Sequence, residues 1–352
     1  MKDYQWELIK KCARCEEVDS VPAGMIVDSP WIPGYCKVST LDYYTDLPTW
    51  LSCYKRIKND FPNMLLLPDY WVEMGMAAEP SSFGCKVLFS HDKPVMIGHL
   101  IEDVDDLDRI ADIAVPNPQN DGLMPLVINY YKRAQGILRE QGEAIRIVAT
   151  RGPLNIATFL MSVSEFCMAV KIDPENTHKV LRTTTELCIR WLKAQMDAIE
   201  GVEGILVLDD ICGFLSEADY KEFAHPYLKK IFDSFNVPVK VFHNDNFNNR
   251  YVTFPYISDL GVNIFNFSHQ ADMKEARKWL GEKVCIFGNV PPLDILTNGT
   301  PDDAYKAAID CLNSYGSKAG IILSAGGGAS SGMSKENCSA FLKALDDWNE
   351  IQ

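Results

Sequence analysis

The amino-acid sequence predicts an α/β fold in which eight parallel strands alternate with helices, the arrangement of a (β/α)8 barrel. The first observation is periodic: from residue 121 onward, short apolar runs alternate with longer segments whose apolar residues recur at helical spacing. The second is that several runs are apolar at nearly every position, as in parallel strands covered on both faces. The third is length, because 352 residues accommodate a barrel of about 250 residues and an N-terminal extension at about residues 1–60.

Eight segments have the length and composition of strands. They are residues 23–27, 64–67, 144–150, 203–209, 239–245, 262–267, 284–289 and 320–325. The intervening segments predict helices at residues 123–141, 174–200, 216–235, 252–260, 272–281, 301–315 and 335–349. Asp173 before Pro174 and Ser216 before the next helix are typical N-terminal caps. A doubly wound sheet is the alternative, but no Gly-x-Gly-x-x-Gly turn follows a strand, which disfavours its nucleotide-binding version.

Composition and charge exclude several classes of function. The chain has 48 acidic and 34 basic residues, a net charge of −14, which would repel the phosphates of nucleic acid. No apolar run reaches the about 18 residues that a membrane-spanning helix needs. The first residues, MKDYQWELIKKC, are polar and amphipathic rather than typical of a secretory signal. We therefore expect a cytoplasmic protein with reduced cysteines that binds neither nucleic acid nor membrane.

Polar residues stand where the predicted strands end. The stretch VKVFHNDN at residues 239–246 is an apolar run that stops at His243 and Asp245, and GILVL before it stops at Asp209 and Asp210. Because the catalytic groups of a barrel sit at the C-terminal ends of its strands, these side chains should converge on one pocket. The other strand ends contribute Asp28, Asp69, Thr150, Arg151, Asn266, Ser268, Asn289 and Ser324. Aromatic residues flank these positions, as is typical of small-molecule sites: Trp31, Tyr35, Tyr70, Trp71, Phe83 and Phe166.

Six short motifs follow one another along the chain. They are GPLNIA at 152–157, LDD at 208–210, FAHPYLKKI at 223–231, HND at 243–245, GNVP at 288–291 and LSAGG at 323–327. In this order and spacing they resemble the uroporphyrinogen decarboxylase superfamily, over nearly the whole chain from about residue 60. The resemblance implies a TIM barrel, here one domain spanning residues 1–352. It also implies either a decarboxylase or a corrinoid-dependent methyltransferase.

Two departures from the family pattern favour one branch. The family's decarboxylases are similar in an Arg-rich N-terminal segment that grips substrate carboxylates, whereas residues 25–35 contain neither Arg nor Lys. The methyltransferases that act on coenzyme M resemble one another in a His-x-Cys…Cys zinc site. The matching positions here are His243, Asp245 and about Gly327, so thiolates are missing. Zinc held by imidazole and carboxylates is the better Lewis acid, which favours the branch that demethylates methyl ethers, notably methoxylated aromatics.

The resemblance to that branch implies zinc and a corrinoid (cobalamin) carried by a separate protein, whose cobalt receives the methyl group. It implies a histidine and two acids on the metal. We assign these to His243, to Glu222, and to Asp209, which together with Asp210 is the nearest candidate to the expected position at Val207. Asp210 and Asp245 are predicted as catalytic acids that activate the ether oxygen. The predicted substrate contacts are Trp31, Tyr35, Asp69, Trp71, Asn289 and Ser324.

The sequence leaves other interpretations open. Glu222 lies off the apolar stripe of its helix, as a solvated surface acid would. Asp209 or Asp210 would also suit a capping role, and His243 a hydrogen bond at a strand end. For the whole protein, the alternatives are a uroporphyrinogen decarboxylase-type enzyme, a corrinoid methyltransferase for a donor such as methanol or a methylamine, and a non-catalytic barrel. The expected partners are a corrinoid protein and a small methyl donor, and a homodimer is one assembly to test.

Overall fold

The computed structural model describes residues 1–247 and 251–351 and confirms the predicted barrel. Its eight strands are β1 (Ala23–Ile26), β2 (Met64–Leu67), β3 (Ile147–Arg151), β4 (Gly204–Leu208), β5 (Val239–Asn244), β6 (Ile264–Phe267), β7 (Cys285–Val290) and β8 (Ile321–Ala325). All seven pairings between neighbours are parallel, in the order β2-β1-β8-β7-β6-β5-β4-β3. The sheet therefore curls on itself until β2 and β3 face each other across a seam.

Helices connect the strands and cover the outside of the barrel. They are α1 (Asp3–Ala13), α2 (Ile32–Cys36), α3 (Thr40–Thr45), α4 (Leu47–Asp60), α5 (Ala78–Ser82), α6 (Asp108–Ala111), α7 (Met124–Glu140), α8 (Pro153–Met161), α9 (Val163–Ile172), α10 (Pro174–Ala198), α11 (Glu217–Asp219), α12 (His225–Asp233), α13 (Met273–Leu280), α14 (Pro301–Tyr315) and α15 (Lys335–Ile351). Single helical turns occur at Met74–Met76, Val104–Asp106, Asp210–Phe214 and Phe254–Tyr256. A two-stranded hairpin, Val87–Leu88 with Met96–Ile97, extends the connection after β2.

Two predicted helices differ from the structure. The segment 216–235 is capped by Ser216 as expected, but a π turn at Tyr220–Ala224 separates α11 from α12. The interruption follows from Pro226, which has no amide hydrogen to donate to the carbonyl of residue 222. The predicted helix at 252–260 is wrong, because that region holds only the turn Phe254–Tyr256. Its predicted start adjoins residues 248–250, which lie outside the described part of the chain.

The interior of the barrel has an apolar layer below a polar one. Alternate strand residues fill the apolar layer, among them Ile26, Ala149, Leu208, Val241, Ile264 and Ile322. Because side chains alternate between the two faces of a strand, the next inward positions follow two residues later. Those positions are Asp28, Arg151, Asp210, His243, Asn266 and Ser324. The strand period thus sets a ring of polar side chains on an apolar floor at the C-terminal mouth.

Cys12 and Cys15 stand at Cys-x-x-Cys spacing near the end of α1. Both are free thiols, as are all eleven cysteines, which lie in the described ranges. Burial raises the pKa of Cys12 to about 12 and also raises the pKa of Cys15. Neither thiol is therefore prepared as a thiolate for redox exchange or metal binding.

Across the described ranges, no single helix is long and apolar enough to cross a bilayer. The helices α8 and α9 reach the necessary length only as a pair, and the chain bends by 104° between them.

Candidate metal centre

Three side chains at the barrel mouth converge on one point. One ligand atom from each of Asp210, His243 and Asp245 lies within 4.8 Å of the other two. The strands bring them together, because β4 and β5 pair in register with Leu208 opposite His243. Asp210 Oδ1 lies 3.5 Å from His243 Nε2 and accepts a hydrogen bond of 3.0 Å from the Asp245 amide. The sequence prediction placed all three in the site, with His243 as ligand and the two acids as catalysts.

Asn266 fixes the orientation and tautomer of His243. The Asn266 amide nitrogen donates to two backbone carbonyls, of Phe287 at 2.6 Å and of Ala325 at 3.1 Å. Its oxygen must then face His243 Nδ1, at 2.6 Å, and accept a hydrogen bond from it. Nδ1 therefore carries the hydrogen, and the lone pair of Nε2 is directed toward the two carboxylates. A metal-binding histidine is oriented in this way by its second ring nitrogen.

The charges and shape of this group fit a cation. The Asp245 side chain is exposed at the mouth, but desolvation by the surrounding protein and the adjacent Asp210 carboxylate raise its pKa to about 6. A bound cation would relieve this crowding of acids. Gly327 lies near the position where the thiolate sites have their second cysteine. A Cβ atom at Gly327 would approach Asp245 Oδ2 to 3.0 Å. Glycine therefore leaves that side of the group open, as in catalytic zinc sites with three protein ligands.

Asp209 lies outside this group, although we predicted it as a ligand. Its carboxylate accepts hydrogen bonds from the amides of Leu154 at 2.9 Å and Asn155 at 3.2 Å, in the first turn of α8. A Cβ atom at Gly152 would fall 2.2 Å from Asp209 Oδ2, so α8 packs directly on this side chain. Burial raises the pKa of Asp209 to about 8, although the amides oppose the shift. Asp209 lies outside the group because consecutive residues at a strand end point to opposite faces, so that Asp210 points inward and Asp209 outward.

Glu222 also lies apart from the group. Its side chain is 59% exposed on the π turn, and its Oε1 is 3.5 Å from His178 Nε2. His178 in turn stacks on Phe223. Glu222 is thus where the alternative interpretation placed it, on the solvated side of its helix.

Four of the six predicted substrate contacts hold protein elements together. Trp31 is buried and donates to the carbonyl of Met333, and the Tyr35 hydroxyl donates to Asp60. The Asp69 carboxylate pairs with Lys58 and with the amino group of Met1. The Asn289 amide donates to the carbonyls of Ser268 and Ala271. Apart from Asp69 Oδ1, which has no hydrogen-bond partner among the described residues, the polar atoms named here are engaged within the protein.

Trp71 and Ser324 are better placed for a ligand. Trp71 belongs to the inner apolar cluster, and the guanidinium of Arg151 lies 5.0 Å above its ring. Ser324 is fully buried at the inward position of β8, and its hydroxyl has no hydrogen-bond partner among the described residues. Because the hydroxyl is buried, only a molecule seated within the mouth could take up this unmade hydrogen bond.

Sequence reasoning gave no role to several charged residues of the mouth. Glu73 accepts a hydrogen bond from the Ser29 amide at 2.9 Å, and its other oxygen lies 3.8 Å from Arg151 Nη2. Burial and the Glu73 carboxylate raise the pKa of Asp28 to about 7, although Arg151 and His243 act to lower it. Asp28 and Arg151 stood at predicted strand ends, so position alone pointed to them. Glu73 lies in a connection, where no pattern marked it.

A separate cavity lies at the opposite end of the barrel. It measures about 590 Å³ and is lined by residues such as Leu8, Val21, Leu65, Leu342 and Leu345. Its lining also includes polar residues such as Gln5, Asn63 and Asp346. Chemistry in this fold occurs at the C-terminal ends of the strands, so this cavity is separate from the candidate site.

Comparison with known proteins is decisive for the family. The uroporphyrinogen decarboxylase (URO-D) family model matches residues 70–348, which is most of the chain. The chain belongs to the uroporphyrinogen decarboxylase family. Uroporphyrinogen decarboxylase of Shewanella loihica is 24% identical over 258 residues, covering 69% of each chain. That of Idiomarina loihiensis is 26% identical over 255 residues, covering 68% of this chain and 67% of its own.

A solved structure shows how far the family fold extends. A methyltransferase from Methanosarcina mazei superposes with a TM-score of 0.78 at 20% identity and covers 97% of both chains. The shared barrel therefore includes β1 and the helices before residue 70, which precede the URO-D family match.

Proposed function

We propose that this URO-D family member is a zinc-dependent methyltransferase that removes the methyl group of a methyl ether and passes it to a corrinoid protein. The observation that carries the proposal is the sulfur-free group Asp210, His243 and Asp245 at the barrel mouth. An imidazole and two carboxylates suit a cation that acts as a Lewis acid, whereas thiolate-rich sites suit activation of a thiol.

Each residue of the mouth has a proposed task. His243, held by Asn266, presents Nε2, while Asp210 and Asp245 supply carboxylate oxygens, so the two acids serve as ligands. When bound, zinc would polarise the ether oxygen and make the methyl group easier to transfer. Trp71 offers an aromatic face to the substrate, and the buried hydroxyl of Ser324 offers a hydrogen bond.

Exposed apolar side chains at the mouth support a protein partner. Met76, Phe214 and Leu293 are all exposed, and they lie in the connections after β2, β4 and β7. Connections that follow strands border the C-terminal mouth. Apolar residues exposed around a polar site are typical of a surface that binds another protein, here the proposed corrinoid protein.

Metal content and methyl transfer test the proposal together. We expect about one zinc per chain in the wild type, and methyl transfer from a methoxylated phenol to cob(I)alamin that chelation abolishes and zinc restores. His243→Ala should lose both zinc and transfer. His178→Ala and Glu222→Gln are matched controls, because both residues lie outside the group, and they should retain both properties.

The decarboxylases among the relatives supply the competing outcome. A decarboxylase would release carbon dioxide from uroporphyrinogen without cobalt or zinc. Full methyl transfer by a metal-free preparation would remove zinc from the proposal, and decarboxylation without methyl transfer would replace it.

A further inference from the structure

Arg151 is a buried cation with unused hydrogen-bond donors. It ends β3 at the inward position, and its side chain is only 7% exposed. Its backbone amide donates to Glu79, but no described residue accepts a hydrogen bond from its guanidinium. The guanidinium instead lies over the ring of Trp71, an arrangement that leaves its in-plane donors free.

Glu73 does not satisfy these donors. Its Oε2 lies 3.8 Å from Arg151 Nη2, which is beyond hydrogen-bond reach, and this oxygen has no other partner among described residues. The cavity bordered by Trp71, Glu73, Glu79 and Arg151 measures about 10 Å³ and holds at most one water molecule. The carboxylates of Asp28, Glu73 and Glu79 interact electrostatically with the guanidinium, but none of them accepts a hydrogen bond from it. A bound ligand with two oxygens could take the hydrogen bonds that these acids leave unmade.

The strand register sets how far such an anion would sit from the metal centre. Arg151 pairs with Leu208, and Leu208 pairs with His243, so the three residues form one row across β3, β4 and β5. Two strand spacings separate the first and last, which is about 10 Å between their Cα atoms. The side chains of Arg151 and His243 both point inward at the mouth, so a single small molecule bound there could contact both.

We propose that Arg151 binds a carboxylate of the methyl donor, so that the substrates are methoxylated aromatic acids rather than neutral methyl ethers. The guanidinium fork matches the two oxygens of a carboxylate. The identity of the transferred group rests on the proposed function above, whereas the charge of the ligand rests on Arg151 alone.

Equilibrium binding tests this inference without turnover. The purified protein is titrated in a calorimeter with 4-methoxybenzoate and with 4-methoxybenzamide, which has nearly the same shape and no charge. We expect the wild type to bind the benzoate about tenfold to a hundredfold more tightly, the usual range for a charged hydrogen bond. Arg151→Met should remove this preference by weakening the benzoate alone. Arg151→Lys keeps the charge without the planar fork and should retain part of the preference for the benzoate.

Arg146→Met is the matched control. Arg146 precedes the same strand at its other end, and its guanidinium is already bonded to Asp3 and Glu203. This variant should lower stability and leave the ratio of the two affinities unchanged.

Three results would overturn the inference: a wild type that binds neither ligand, a wild type that binds both equally, or an Arg151→Met variant that weakens both equally. The last would mean that Arg151 is a structural group satisfied by water. A wild type that prefers the benzoate but transfers no methyl group would instead count against the proposed methyl transfer and leave the anion site standing.

Discussion

Asn266 determines which nitrogen of His243 is free to bind a cation. Replacing it by leucine removes the acceptor for Nδ1 and should weaken zinc binding about tenfold to a hundredfold, the usual effect of losing an outer hydrogen bond of a ligand. Competition with a chelating dye measures the affinity. Asn289→Leu is the control, because Asn289 also donates to two backbone carbonyls but contacts none of the three proposed ligands.

Both asparagine variants should lose stability, since each leaves two backbone carbonyls without their donor. Only Asn266→Leu should lose zinc affinity. Equal zinc affinity in the two variants would show that the tautomer of His243 does not depend on Asn266.

The residue scale also shows what the sequence could predict at the site. His243, Asp210 and Asp245 could be predicted because each stands within three residues of the end of an apolar run. The choice between Asp209 and Asp210 was not, because it depends on which face the strand turns inward, and a run that is apolar on both faces does not reveal this. The absence of a described hydrogen-bond acceptor for the Arg151 guanidinium could not be predicted either, since it depends on the distance to Glu73, which lies in a different connection.

At the scale of elements, Asp209 links β4 to α8. Asp209→Ala should lower the free energy of unfolding by about 1–2 kcal/mol, the usual cost of losing a helix cap, without changing zinc content. Urea denaturation and metal analysis measure the two effects. Asp173→Ala removes the cap of α10 and should likewise lower stability without changing zinc content. Zinc lost from the first variant and kept in the second would return Asp209 to the ligand set.

Strands were easier to predict than helices for a physical reason. Each predicted strand begins within three residues of the observed one, because burial on both faces leaves an uninterrupted apolar signal. The segment around residues 252–260 is rich in apolar residues, but they do not form a stripe along one face of a helix. Only Phe254–Tyr256 forms a helical turn there. Local composition there suggested a helix that the packing of Phe254 against Phe265 and Phe267 does not need.

At the scale of the whole molecule, the barrel is completed at the seam by side chains instead of strand pairing. At the mouth, Glu79 accepts hydrogen bonds from the Arg151 amide and the Thr150 hydroxyl, which are on β3. A second link joins Asp69, which follows β2, to Lys58, and Lys58 also pairs with Glu143, which precedes β3. The network thus bridges the two strands that the sheet leaves unpaired.

The Asp69 network should therefore contribute to global stability in a pH-dependent way. Burial alone would raise the pKa of Asp69, but Lys58 and the amino group of Met1 outweigh it and hold that pKa below its ordinary value. A group with a lowered pKa stabilises the fold above its unfolded pKa of about 3.9 and loses that contribution as the pH falls further. Asp69→Asn should then cost about 3 kcal/mol from about pH 5 to pH 7, the lower range for breaking a buried pair, because Lys58 keeps Glu143. Burial lowers the pKa of the Met1 amino group, so the cost should decline toward pH 8.

Urea unfolding at a series of pH values measures this cost, and the difference from the wild type should shrink below about pH 4. Asp302→Asn removes an exposed pair with Lys306 and should change stability by less than about 1 kcal/mol throughout. A difference for Asp69→Asn that is absent at neutral pH, or that grows toward acid pH, would mean that the seam is held by packing and by the Glu79 hydrogen bonds. The barrel would then not depend on charge for its closure.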